Sequence, residues 1–300
     1  MGRSALSRYY EHMNLKELGR TGVRLPEIGL GTSNYQGGEA PLRKGIELGA
    51  VFIDTAESYG SEEIVGEALK GLHDRAFIAT KVSPAHFKRK DVIRAADESL
   101  RRLKMNHVDL YQLHEPSPTV PIEETMSAME ELVEAGKVRF VGVSNFSVRQ
   151  LKRAQAALRK QTIVSNQVRY SLTDRTIEKE LLAFCQKNGI TVLGYSPLAR
   201  GIPNLQRKDP QGVLRKVAAE AGRSEVQVAL NWCIAKPGVI AITKSNSVER
   251  IIQDCNASGW QLSADQLRRL DEGIIYRQRS AFEVFLRRIA RRILDRPGYW

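Results

Sequence analysis

Eight short apolar runs, separated by stretches patterned as amphipathic helix, constrain the fold of this chain more than anything else in its 300 residues. They are LPEIGLG (25–31), VFIDTA (51–56), FIATKV (77–82), VDLYQLH (108–114), FVGVSN (140–145), IVSNQV (163–168), TVLGYSP (191–197) and VIAITK (239–244). None alternates strictly between apolar and polar residues, so each predicts a strand buried on both faces, as in a parallel sheet. Between them lie helical patterns. In residues 89–103 Val92, Ile93, Ala96, Leu100 and Leu103 fall at helical spacing; residues 121–137 open with Pro121 in the first turn and close at Gly136; residues 147–158 form a third example. Strand and helix alternating eight times predicts an α/β fold, a closed (β/α)8 TIM barrel, with an open doubly wound sheet as the alternative.

Ahead of the first run, LKELGRTGVRLPE (15–27) predicts two short strands around Arg20, Thr21 and Gly22, a hairpin able to plug one barrel end. No linker or shift in composition divides the chain. One barrel over residues 13–276 is expected, with an N-terminal extension at 1–12 and a basic tail at 277–300; structure-like sequence begins at Met13, which could be the start as well as Met1.

The formal charge of +12 raises the question of nucleic acid, anionic lipid or phosphorylated ligands. Much of it is local: the tail carries seven arginines against Glu283 and Asp295, five of the twelve excess charges. A nucleic-acid partner is not expected. In the same tail Phe282, Phe285, Leu286, Ile289, Ala290, Ile293 and Leu294 make an apolar helical stripe, predicting a C-terminal helical extension. Packing on the barrel is the preferred reading, and contact with an anionic membrane the sharper one. Cys185, Cys233 and Cys255 are odd in number and widely spaced, which predicts buried free thiols rather than disulfides or a metal site. The N-terminus has no secretory apolar run and no stretch reaches membrane-spanning length, so a cytoplasmic protein is expected. With no readable heptad, a monomer is expected.

In such barrels chemistry sits at the C-terminal strand ends. Four ionisable residues fall there: Asp54 after the second run, Tyr59 in the loop beyond it, Lys81 at the end of the third and His114 at the end of the fourth. A phenol with a pKa of about 10 is a poor acid at neutral pH, and an adjacent ammonium is expected to lower that value. Lys81 can supply the charge, Asp54 can keep Lys81 protonated and oriented, and His114 can donate a hydrogen bond to a carbonyl oxygen while Tyr59 delivers a proton. Each residue alone has an ordinary structural explanation; the four together fit reduction of a carbonyl.

The blocks DTAESYG, ATKV, LHEP, GKVRFVGVSNFS, NQVRYS and GYSPLARG resemble, in content and order, those of the aldo-keto reductases of prokaryotic type, over nearly the whole chain from Met13 to the neighbourhood of Gly273. The resemblance implies a catalytic tetrad of Asp54, Tyr59, Lys81 and His114 with Tyr59 as general acid. Glu115 departs from the Trp that many members carry after the histidine, and an acid there would disfavour anionic substrates.

A dinucleotide fingerprint is missing: GLGTSN has Asn34 where a third glycine would stand. Ser144, Asn145 and Gln167 instead place amide and hydroxyl groups at strand ends, suited to a carboxamide, and Tyr195 could stack on a planar ring. The resemblance implies that these residues hold the nicotinamide of NADP(H), with Gly31, Thr32 and Asp54 also at the cofactor. It further implies that Ser196, Leu198, Arg200 and Gly201 follow the pyrophosphate, and that Lys244, Ser245 and Arg250 grip a 2′-phosphate, which favours NADPH. Gln253 and Asp254, where members often have Glu and Asn, would lie at the adenine, and Thr243 replaces a common proline. The expected function is NADPH-dependent reduction of small aldehydes or ketones. Two alternatives remain: an aldolase-like barrel with Lys81 as Schiff-base nucleophile, and a cofactor-binding sensor or scaffold with little turnover.

Overall fold

The computed structural model describes residues 13–280 and Glu283. The chain enters through a hairpin, β1 (Leu15–Glu17) antiparallel to β2 (Arg24–Pro26). In its turn Gly19 has a φ of 58°, and a Cβ there would lie 3.1 Å from Val164, so both backbone and space require glycine. Leu18 and Leu25 pack inside the barrel on Phe52, Phe77, Val164 and Ile240, residues at or next to the starts of their strands. The hairpin therefore plugs the N-terminal end.

The eight barrel strands are β3 (Ile28–Gly31), β4 (Phe52–Asp54), β5 (Phe77–Val82), β6 (Val108–Leu113), β7 (Val138–Ser144), β8 (Ile163–Arg169), β9 (Thr191–Tyr195) and β10 (Val239–Thr243). All neighbours pair in parallel, and β10 pairs with both β9 and β3. That last pairing closes the barrel and excludes the open sheet. The run LPEIGLG divides between two elements: Leu25 and Pro26 belong to the hairpin, and only Ile28–Gly31 joins the barrel. Pro26 has no N–H to give a ladder, and the buried Glu27 side chain turns to accept from Asn14 Nδ2 and Ser258 Oγ.

Helices α1 (Glu39–Glu47), α2 (Glu62–Ala68), α3 (Arg89–Leu103), α4 (Ile122–Glu134), α5 (Val148–Ala156) and α6 (Leu181–Asn188) each join consecutive strands. Between β9 and β10 come α7 (Ile202–Gln206), α8 (Val213–Ala221) and α9 (Glu225–Ile234), and after β10 come α10 (Val248–Cys255) and α11 (Ala264–Gly273). α3 buries Val92, Ala96, Leu100 and Leu103 as its spacing predicts, while Ile93 is only partly buried. Pro121 lies one position outside α4, as its N-cap, because its extended ψ of 134° is not yet helical. α5 begins with a reciprocal cap between Ser147 and Gln150.

Cys185, Cys233 and Cys255 are buried free thiols, and burial pushes each up to about 12. Among the described residues no helix is long and apolar enough to cross a membrane. The first residues of the tail are tied to the β8–α6 connection, since Arg277 N donates to Thr173 O and Arg279 pairs with Asp174 at 2.9 Å. The apolar stripe from Phe282 to Leu294, and with it the expected helical extension, lies outside the described residues.

Candidate active site

Barrel register brings the four ionisable residues to one mouth. Asp54 is the last residue of β4, Lys81 lies next to the end of β5, and His114 follows β6 directly. Tyr59 closes a single 3-10 turn, Glu57–Tyr59, ended by Gly60 at a φ of 65°. Glu57 straps that turn to the end of β5: its carboxylate accepts from Ser83 N at 2.5 Å and meets His86 Nδ1 at 3.0 Å.

Lys81 is fully buried, and its ammonium has a partner for each of its three donors. It gives to Asp54 Oδ2 at 2.6 Å, to Thr55 O at 2.8 Å and to Tyr59 Oη at 3.4 Å. Burial alone would lower its pKa; Asp54, then Tyr59, outweigh burial and raise it. Lys81 is therefore held as a cation, which argues against the Schiff-base alternative. The other oxygen of Asp54, Oδ1, accepts from Gln167 Nε2 at 2.7 Å and from Gln112 Nε2 at 3.2 Å.

Tyr59 differs from expectation in direction. Burial raises its pKa, and the Lys81 ammonium, pulling downward, offsets this only in part. Sequence spacing reveals the ammonium but not the depth of burial. The phenol is thus protonated at neutral pH. His114 Nε2 lies 3.3 Å from Tyr59 Oη and Nδ1 lies 3.4 Å from Ser58 Oγ. Burial, then the charge of Lys81, lowers the imidazole to about 3, so His114 is neutral across the physiological range.

Around this centre Ser144 Oγ donates to Gln167 O at 2.9 Å, and Asn145 Nδ2 donates to His114 O at 3.2 Å and to Ser144 Oγ at 3.0 Å. Tyr195 Oη donates to Asn145 Oδ1 at 3.0 Å, with the Arg169 guanidinium 5.3 Å from the centre of its ring. Sequence reasoning names Ser144, Asn145, Gln167 and Tyr195, and the structure joins them into one network with the tetrad. Gly31 and Thr32 have structural duties: a Cβ on Gly31 would lie 2.8 Å from Ile242, and Thr32 Oγ1 donates to Asp54 O at 3.1 Å.

The loop after β9 holds Ser196, Ala199 and Arg200 at φ values of 53°, 51° and 70°, and Gly201 at 128°. Left-handed non-glycine residues cost on the order of 1–3 kcal/mol each and gather where a ligand is held. Leu198 anchors the loop against the core. Lys244 and Arg250 are exposed beside the start of α10, with no ion pair among the described residues. Ser245, Gln253 and Asp254 are turned inward instead. Ser245 Oγ donates to Asp254 Oδ2 at 2.7 Å, Gln253 Nε2 donates to Ser224 Oγ at 3.0 Å, and burial raises Asp254 to about 6.

This donor set fits a nicotinamide dinucleotide phosphate. Amide and hydroxyl groups cluster beside an aromatic ring, a left-handed loop follows, and two exposed cations without a close ion pair among the described residues come after β10. Among the described residues no group of His, Cys, Asp and Glu could hold a metal ion.

The model of the aldo/keto reductase family matches residues 27–275. This chain belongs to the aldo/keto reductase family. Methylglyoxal reductase YeaE of Escherichia coli is 38% identical over 261 residues, covering 83% of this chain and 91% of that protein. Glyoxal reductase of Bacillus subtilis is 32% identical, covering 83% and 89%. A solved aldo/keto reductase from Klebsiella pneumoniae in complex with NADP and acetate superposes with a TM-score of 0.81 at 36% identity, over 89% of this chain and 98% of that one. A thermostable aldo-keto reductase bound to the inhibitor epalrestat gives 0.82 at 40% identity, over 86% and 99%.

As an aldo/keto reductase the chain is an oxidoreductase, and the gathering of Asp54, Tyr59, Lys81 and His114 at one barrel mouth follows from their places at and just beyond the strand ends. Gln112, Thr55 and Ser58 were missed. Gln112 had a signal: it is the one amide in the apolar run before His114, two residues away and so on the same strand face.

Proposed function

We propose that this protein reduces the carbonyl of small aldehydes or ketones to the alcohol with NADPH, Tyr59 acting as general acid. The observation that carries the reading is the placement of a protonated phenol 3.4 Å from a buried ammonium and 3.3 Å from a neutral imidazole. A carbonyl oxygen seated between Tyr59 Oη and His114 Nε2 accepts a hydrogen bond from each and is polarised. NADPH, when bound, supplies a hydride to the carbonyl carbon. Tyr59 gives its proton to the oxygen, and the phenolate left behind gains the Lys81 charge at the moment it forms. Asp54 keeps Lys81 protonated through that change. A resting pKa above the usual phenol value is therefore compatible with the role: Tyr59 is an acid because its anion is stabilised, and it is protonated while it waits.

Ser144, Asn145 and Gln167 orient the carboxamide, Tyr195 covers the ring, and the loop at Ser196 to Gly201 follows the pyrophosphate. Lys244 and Arg250 take the 2′-phosphate and set the preference for NADPH over NADH. The relatives named for methylglyoxal and glyoxal point to small dicarbonyls as the first substrates to try. Glu115, partly buried beside His114, disfavours anionic carbonyl compounds.

The test is NADPH oxidation followed at its near-ultraviolet absorbance with methylglyoxal, glyoxal, neutral aldehydes and ketones, with Tyr59→Phe alongside. Turnover is expected with the wild-type chain alone. Undiminished turnover in the variant would remove Tyr59 from the mechanism.

A further inference from the structure

A cavity of about 460 Å3 opens between the loop after β9, the β8–α6 connection and the segment Ile275–Arg279. It shares no residue with the tetrad, nor with Lys244 or Arg250. Five cations line it, Arg169, Arg207, Lys208, Arg277 and Arg279, against the single carboxylate of Asp174. Arg279 is paired with Asp174 at 2.9 Å, and Arg277 with Glu283. That leaves Arg169, Arg207 and Lys208 without a carboxylate partner among the described residues: Arg169 lies over the Tyr195 ring, and Arg207 donates only to Asn204 Oδ1.

We propose that this cavity binds a small polyanion. Like charges gathered around a concave surface raise the local potential and concentrate counter-ions there. Guanidinium groups offer planar paired donors that match carboxylate and phosphate oxygens, and the hydroxyls of Ser171 and Thr173 add neutral donors on the same wall. The exposed side chains of Ile275 and Tyr276 give the cavity an apolar side, suited to a short carbon skeleton between anionic groups. The volume falls in the range of small-molecule sites. The ligand chemistry is at least two anionic oxygen groups on a small molecule, supplied by phosphates or by carboxylates. The cavity holds none of the tetrad, but it borders the cofactor residues proposed above: Ala199 belongs to the loop assigned to the pyrophosphate and Arg169 lies over Tyr195, so the titrations are run with the cofactor both absent and bound.

Isothermal titration calorimetry of the full chain with inorganic pyrophosphate and with citrate, at matched ionic strength in chloride, tests this. Saturable binding of at least one is expected, and the stronger of the two assigns phosphate or carboxylate chemistry. Arg207→Gln with Lys208→Gln should weaken it at least about tenfold, since each removes a charge-assisted contact. Lys244→Gln with Arg250→Gln should leave that binding in place. All four positions are exposed, and thermal unfolding of both double variants verifies that the fold survives. Absence of saturable binding by either probe overturns the proposal. So does equal weakening in both double variants, which would mean diffuse charge attraction, or loss only in the Lys244 and Arg250 pair, which would put the anion elsewhere.

Discussion

The ammonium of Lys81 lies 3.4 Å from the phenol oxygen of Tyr59 and 4.8 Å from the centre of its ring. The contact is worth little while the phenol is neutral and most when it is an anion, which is the differential that accelerates a reaction. Tyr59→Phe is expected to reduce kcat at least about a hundredfold, the usual scale for a positioned acid, with NADPH affinity nearly unchanged. Stopped-flow or steady-state rates together with quenching of protein fluorescence by NADPH separate the two effects.

Lys81→Met removes the same charge but leaves Asp54 buried, which is a different loss. An uncompensated buried carboxylate costs about 3–5 kcal/mol, so this variant should be both inactive and less stable. Adding Asp54→Leu should recover much of the stability and none of the activity. Urea unfolding of the single and double variants measures the first, and the NADPH assay the second. Recovery of activity in the double variant would mean that the ion pair is structural only.

His114 gives the pH dependence. Its native pKa of about 3 lies below the ordinary histidine value of about 6.5, so below that value the unfolded chain takes up a proton that the native one does not. The share of stability owed to His114 is complete above about 6.5 and falls as pH drops toward 3. Wild type should therefore lose more stability than His114→Gln between pH 7 and pH 4, measured by urea midpoints across that window. The rate profile should show no histidine inflexion between pH 5 and 8. An inflexion near 6.5 that vanishes in His114→Gln would contradict a neutral imidazole.

The barrel and the grouping of its polar strand ends were legible for the same reason: apolar runs stop at polar residues, and closure of the sheet gathers those ends. Asp54, Lys81 and His114 needed only that rule. Tyr59 needed one further turn of chain, and its pKa direction could not be read, because burial, the larger cause, opposes the lysine and only the lysine is visible in sequence. Ser58 depends on side-chain direction, which no spacing reveals, whereas Gln112 is marked in the sequence by its place two residues before His114. The inward turn of Ser245 and Asp254 is hidden likewise: both are polar, both sit beside α10, and only packing shows that they satisfy each other at 2.7 Å.

Gln112 sits beneath the carboxylate, with its amide donating to Asp54 Oδ1 at 3.2 Å and its carbonyl oxygen buried without a partner among the described residues. Gln112→Leu removes one hydrogen bond worth about 1 kcal/mol and also an unsatisfied acceptor of about 1–3 kcal/mol. Stability should then be unchanged or slightly higher, while kcat falls modestly as Asp54 loses a support. Gln167→Leu, whose bond to the same oxygen is 2.7 Å, should cost stability and cofactor affinity together. Thermal midpoints and NADPH titrations of the pair test the contrast, and a large loss of stability in Gln112→Leu would mean that its carbonyl is satisfied in solution.

Lys244 and Arg250 are the residues proposed to carry the cofactor preference. Both are exposed and neither forms a close ion pair among the described residues, Arg250 acting on the buried Asp254 only at longer range, so their replacement should leave the fold intact. Each charge-assisted bond to a phosphate contributes about 1.5–3 kcal/mol, which is about tenfold or more in affinity. Lys244→Ala and Arg250→Ala should each raise the KM for NADPH by at least that factor and leave the KM for NADH nearly where it was, because NADH has no 2′-phosphate to lose. High salt should weaken NADPH binding to the wild-type chain more than to the double variant, since the contacts lie in water and are screened. Parallel loss toward both cofactors would place the two residues at the pyrophosphate instead, and the preference for NADPH would then need another source.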